Sequence, residues 1–427
     1  MSLFTSIPSY SVDEVVDLHD QYLSDPNGRK LWLLADIFND TAAVFPSYQS
    51  IRHAEGELFT SEAGKDHIPS LGLTTFLEAS SKLLFGPIYS TVRNRTASVQ
   101  QTGFTGAVRM AFDFIHDHMP DALVILPADT LPTYTTIHKK VMGHQGLNTY
   151  TTTHTGFVVD VEPMLADLQH APAGSVVVLH THAHSPTGFD IPDSAWSRVL
   201  DVVEQRGLIP LFDSVFTGMA SGSMGHDSRV IRAAVARGMP MMIAQSFTHS
   251  MGLFGERPAA LHIVTPGPET KAQVEAQLTD LVEATRHAPA CHGAYIVEKV
   301  LSTTHLREQW EQDVHAAADR LRAVRLMLYD ALKKAEVNLL HANEHIRNQT
   351  GAFVTTGLTP GQVRAMRENH SIYMTESAWI SLAGLDGERV DYLVESLAAA
   401  MKESPPQEGG GVYELPDVCD SPTQYIA

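Results

Sequence analysis

Five short apolar runs punctuate the chain: Ala122 to Leu126, Ser175 to His180, Ile209 to Phe216, Met241 to Ala244 and Ala260 to Thr265. Each is too short for a helix and lacks polar alternation, which predicts strands buried on both faces. An amphipathic segment over 12–28 closes on the turn signal Asp25-Pro26-Asn27-Gly28, and a glycine-rich turn, Gly103 to Gly106, opens a helix that runs through Phe114. Beyond Thr265 helical periodicity dominates, over 268–286, 294–302 and 306–335. Strands alternating with helices predict an α/β fold with a parallel sheet sandwiched by helices, and a chain of this length predicts one large domain plus a smaller one.

Composition narrows the partners. The net charge of −19 works against nucleic acid and anionic membranes, both of which attract Lys and Arg clusters. Residues 1–8 lack the charged and apolar regions of a signal peptide, and no apolar stretch approaches a membrane span, so a cytoplasmic protein is expected. Cys291 and Cys419, the only cysteines, have no metal-type spacing and no place in a disulfide framework.

Candidate chemistry centres on Ala244-Gln245-Ser246-Phe247-Thr248-His249-Ser250-Met251-Gly252-Leu253-Phe254-Gly255-Glu256-Arg257, where a hydroxyl, an imidazole and a guanidinium follow a buried strand. Such a turn suits a phosphate, and so does the helix opening at Gly103, whose first amides are unpaired and lie at the positive end of the dipole. The stretch resembles the cofactor-lysine segment of the aspartate aminotransferase family, the fold type I enzymes of pyridoxal phosphate (PLP), with His249 standing where the lysine belongs. An imidazole forms no Schiff base with the PLP aldehyde.

The resemblance extends over about residues 10 to 402 and implies roles residue by residue. Gly103, Phe104 and Thr105 match the family's phosphate-binding turn, with Phe104 in place of a glycine. Tyr134 matches the tryptophan that stacks on the pyridine ring, and Ser185 the asparagine at its O3′. Asp213 matches the carboxylate that pairs with the pyridine nitrogen. Phe216 replaces the tyrosine at O3′, while Ser246 and Arg257 are kept as phosphate ligands. His67 replaces a tyrosine that crosses the dimer to the phosphate, and Arg286 falls in a second segment of that kind. On the substrate side, Asp36 stands at a glycine and Trp379 at the arginine that clamps the α-carboxylate.

The family fold implies a large PLP-type domain over 46–305 and a small α/β domain over 306–402 to which residues 1–45 contribute. Residues 403–427 form an acidic, Pro/Gly-rich tail. The expected protein is a homodimer that binds PLP or its amine form, PMP, without a covalent anchor and acts on an amine or amino-acid-derived substrate, with His249 as acid/base. Alternatives are cofactor-free or metal-dependent chemistry in the old pocket, or a non-catalytic binding protein. His180, His182 and His184 alternate at a strand end and would project to one side, as zinc or iron ligands can. His180 and His184 have family counterparts, so only His182 is new.

Overall fold

The computed structural model describes residues 14–34, 48–61, 66–143, 146–155, 158–339 and 343–403. Asp36 and residues 404–427 of the tail lie outside them, whereas Glu403 closes the last helix, Gly387–Glu403.

A seven-stranded sheet forms the centre. Its strands are β1 (Thr96–Thr102), β2 (Val124–Pro127), β3 (Leu147–Tyr150), β4 (Val176–His180), β5 (Ile209–Ser214), β6 (Met241–Ser246) and β7 (Pro258–Val264), in the order β1-β7-β6-β5-β4-β2-β3. From β3 to β6 every pairing is parallel, and β7 runs antiparallel to both β6 and β1.

The apolar runs end up here because both faces are covered. Val177, Leu179, Phe212 and Ile243 enter one core, under the helices Val161–His170, Trp196–Gln205 and Arg229–Ala236. Their neighbours Val176, Val178, Leu211 and Met242 enter the other, under α1 (Gly103–His118), Pro132–Met142 and Pro268–Thr285. Burying one such side chain contributes about 1.5–3 kcal/mol, which fixes a register that a one-residue slip would invert.

α2 (Thr304–Lys334) spans 31 residues, about 46 Å at the helical rise, and joins two cores. Trp310 and Val314 pack with Phe247 and Met251, and the Trp310 indole donates to the Ser250 carbonyl at 2.7 Å. Further along, Leu321, Leu328 and Leu332 pack with Leu18, Leu31, Phe353 and Val390. The N-terminal segment belongs to that second core, with Leu31–Trp32 pairing in parallel with Ile372–Tyr373. The antiparallel pair Phe353–Thr355 and Trp379–Ser381 lies in it too. Among the described residues no helix is long and apolar enough to cross a membrane.

Candidate active site

Strand register gathers the candidate residues. Thr102 pairs with Pro258 and Ser246 with Ala259, so Gly103, Arg257 and Phe247 emerge together at one end of the sheet. His180 pairs with Asp213, and Asp213 with Ala244, which sets the carboxyl ends of β4, β5 and β6 side by side. Ligands of open α/β sheets bind outside such ends. The Gly103 amide donates to the Arg257 carbonyl at 2.5 Å, tying the start of α1 to the loop after β6.

Gly103 has φ +67°, a conformation that favours glycine, and a Cβ there would lie 2.8 Å from Arg257 Nε and 3.1 Å from Nη2. The guanidinium therefore fills the space a side chain would take at the N-terminus of α1. Arg257 itself has φ +52°. Thr105 is exposed in the first turn, while Ser246 is buried, its hydroxyl donating to Thr248 Oγ1 at 3.0 Å and accepting from the Thr248 amide at 3.2 Å.

Asp213 is buried at the end of β5. Its Oδ1 accepts from the Val215 amide at 3.0 Å, and its Oδ2 accepts from the Tyr134 hydroxyl at 2.9 Å and lies 3.2 Å from His180 Nδ1. Burial pushes the carboxyl up, against the lowering effect of Val215 and Tyr134. Burial also pushes the Tyr134 hydroxyl well up, with the Asp213 charge adding to it, so the phenol stays protonated and donates. His180 and His184, rings 4.4 Å apart, are both driven down to about 4 by burial. Desolvation outweighs the nearby carboxylates, and the His180–Asp213 contact joins a neutral imidazole to the acid. Tyr134 is fully buried, its ring edge-on to Phe104 at 5.5 Å, so it presents no open face.

His249 is half-buried in the loop after β6, with the Phe216 ring 4.5 Å from its own and Phe254 edge-on at 5.4 Å. Phe216 leads to Phe353 at 5.9 Å, and Phe353 to Trp379 at 5.3 Å. A line of aromatic rings thus runs from the imidazole to the residue expected on the substrate side. Ser185 is buried in the loop after β4, before a cis bond to Pro186.

Other predicted residues are placed differently. His67 is exposed and edge-on to His287 at 6.1 Å, and Arg286 donates to the Gln100 carbonyl at 3.1 Å. The three histidines do not share one side. β4 ends at His180 and Ala183 turns to φ +48°, which breaks the alternation. His180 and His184 line one small cavity with Asp129, whereas His182 lines a different one with Asp190 and Arg229. Among the described residues no three His, Cys, Asp or Glu side chains are arranged to hold a metal ion. Asp129, Phe254 and Phe353 carry no role assigned from the sequence. Asp129 follows closely on a strand's carboxyl end, the signal that could have found it.

The mostly parallel sheet, flanking helices and converging loops define a fold type I PLP-transferase architecture. The sequence profile of the family described as aminotransferase class I and II matches residues 38–397, and the chain belongs to that family, whose members are PLP-dependent aminotransferases. It is 32% identical over 402 residues to the mitochondrial aspartate aminotransferase of Schizosaccharomyces pombe, covering 93% of this chain and 90% of that one. It is also 32% identical to the aromatic-amino-acid aminotransferase of Pseudomonas aeruginosa, over 93% of this chain and 99% of that one. Among solved structures it is similar to the cytoplasmic aspartate aminotransferase of Giardia lamblia, with a TM-score of 0.91 and 29% identity over 95% of this chain and all of that one. An aromatic-amino-acid aminotransferase from Burkholderia pseudomallei, covalently bound to pyridoxal phosphate, superposes with a TM-score of 0.87 at 28% identity, over 94% of this chain and all of that one.

The residues present fit the two ends of PLP unequally. The glycine, guanidinium and helix N-terminus suit its phosphate as they stand. The ring end would fit if Tyr134 turned off Asp213 Oδ2, which His180 Nδ1 also approaches at 3.2 Å.

Proposed function

We propose that this chain is an aminotransferase-like enzyme that binds PLP or PMP without a covalent anchor, as a homodimer, and acts on an amine or amino-acid-derived substrate with His249 as the acid/base. The observation that carries the reading is the Arg257 guanidinium lodged against Gly103 at the start of α1, in the same loop as His249. Arg257, Ser246 and the amides that follow Gly103 in α1 would hold the phosphate, and Asp213 would meet the ring nitrogen. The cofactor supplies an electron sink for carbanion-like charge. His249 moves the proton at the substrate carbon, since an imidazole both gives and takes protons near neutral pH. Phe216 restricts how that imidazole turns, and the neighbouring rings exclude water.

A second reading, a binding protein or cofactor-free enzyme, draws on the Tyr134–Asp213 contact that closes the ring end. The absorbance of the purified protein and the variant His249→Lys decide between them. The reading predicts a PLP or PMP band in the wild type. It also predicts that the lysine variant, incubated with PLP and borohydride, gains the mass of the reduced cofactor on the peptide carrying residue 249. Neither band nor added mass would leave the second reading.

A further inference from the structure

We infer that the substrate side of this site takes a primary aromatic amine without a carboxylate, recognised by the rings of Trp379, Phe353, Phe216 and Phe254. This rests on the reading of His249 as the proton-transfer group. The rings form one connected set: Trp379 on Phe353, Phe353 on Phe216, Phe216 on His249 and His249 on Phe254, at centroid distances of 5.3, 5.9, 4.5 and 5.4 Å. Phe216 and Phe353 are buried, while Trp379, His249, Phe254 and Phe104 are half-buried and form the accessible part of the set. Phe104 and Trp379 pack against the same core as Phe216 and Phe353.

The guanidinium behind this wall is committed elsewhere. Arg325 is buried and donates to the carbonyls of Ile346, Thr350, Gly351 and Phe353. Arg257 lies against Gly103 at the phosphate end. A carboxylate held against these rings would lose its hydration and gain neither of these two guanidiniums as a charge partner. An ammonium gains from the negative faces of the rings, and a chain of net charge −19 draws cations and repels carboxylates. Ring-on-ring packing then selects an aromatic amine over a small aliphatic one.

The test is calorimetric titration of the full-length protein as purified with 2-phenylethylamine and with phenylalanine, which differ by the carboxylate alone. The amine should bind at least about tenfold tighter, and Trp379→Arg should favour phenylalanine by about ten- to a hundredfold, the effect of a charge-assisted pair. Should the arginine variant fail to fold, Trp379→Leu should weaken the amine and leave phenylalanine weak. Equal binding of the two ligands by the wild type, or binding of neither, overturns the inference. Absorbance of the same sample separates it from the cofactor reading. Amine preference without a cofactor band sustains this inference and refutes that reading, and a cofactor band with phenylalanine preferred does the reverse.

Discussion

Tyr134 and Asp213 stand 79 positions apart in the sequence, and their side chains meet at 2.9 Å inside the fold. Under the proposed function the pyridine nitrogen would compete with the phenol for this acceptor, so the contact would stabilise the fold and oppose cofactor binding. Tyr134→Phe keeps the ring and removes only this donor. It should lower stability by about 1–2 kcal/mol, because a buried acceptor loses its partner, and raise PLP affinity several-fold. Urea denaturation reads the first effect and a fluorescence titration with PLP the second. A variant unchanged in both would show that the hydrogen bond matters to neither state.

The start of α1 is where an element's geometry sets binding. Gly103→Ala puts a Cβ at φ +67° and 2.8 Å from Arg257 Nε, so the backbone must strain and the guanidinium must leave. Stability should fall by about 1–2 kcal/mol and PLP affinity about tenfold or more, measured by the same titrations, whereas Gly106→Ala, whose Cβ meets nothing closer than 3.6 Å, should be neutral or stabilising. The strands at this end were legible in the sequence wherever both faces are apolar, as in Val176–His180 and Met241–Ser246. β1 was not, because Gln100 and Gln101 interrupt its apolar positions. Gln100 is in fact buried, its side chain accepting from the Leu73 amide and donating to the Ala290 carbonyl. β3 was missed because Asn148 and Thr149 are exposed on the outer edge of the sheet. The candidate residues around His249 were legible as a motif, since they follow one another along the chain. The Tyr134–Asp213 contact and the ring chain to Trp379 were not, because local periodicity carries no information about which distant side chains touch.

Across the whole molecule, burial of neutral imidazoles sets an acid limit. Burial drives His180 and His184 down to about 4 and His262 to about 3, against an ordinary value of 6.5. His262 is held between Ser98 and Gln245 at 2.8 and 3.0 Å, so its proton sites are used by the fold. In the window from 6.5 down to about 4 the unfolded chain takes up protons on these three rings and the folded chain does not, so stability falls as pH falls. Asp213 acts with the opposite sign. Its folded carboxyl binds a proton above the unfolded value of 3.8, which adds stability as pH falls and offsets part of the loss. Each neutral histidine costs up to about 1.4 kcal/mol per pH unit below 6.5, so the three rings together should cost on the order of 5 kcal/mol between pH 7 and pH 5, less whatever Asp213 offsets. That is a large share of a typical folding stability. Urea midpoints compared at the two values should drop accordingly, and His262→Gln, which removes one titrating ring while keeping a polar side chain, should flatten the dependence. A midpoint that holds constant down to pH 5 would mean that the folded and unfolded chains take up protons equally over this range, so that the fold does not hold these rings neutral.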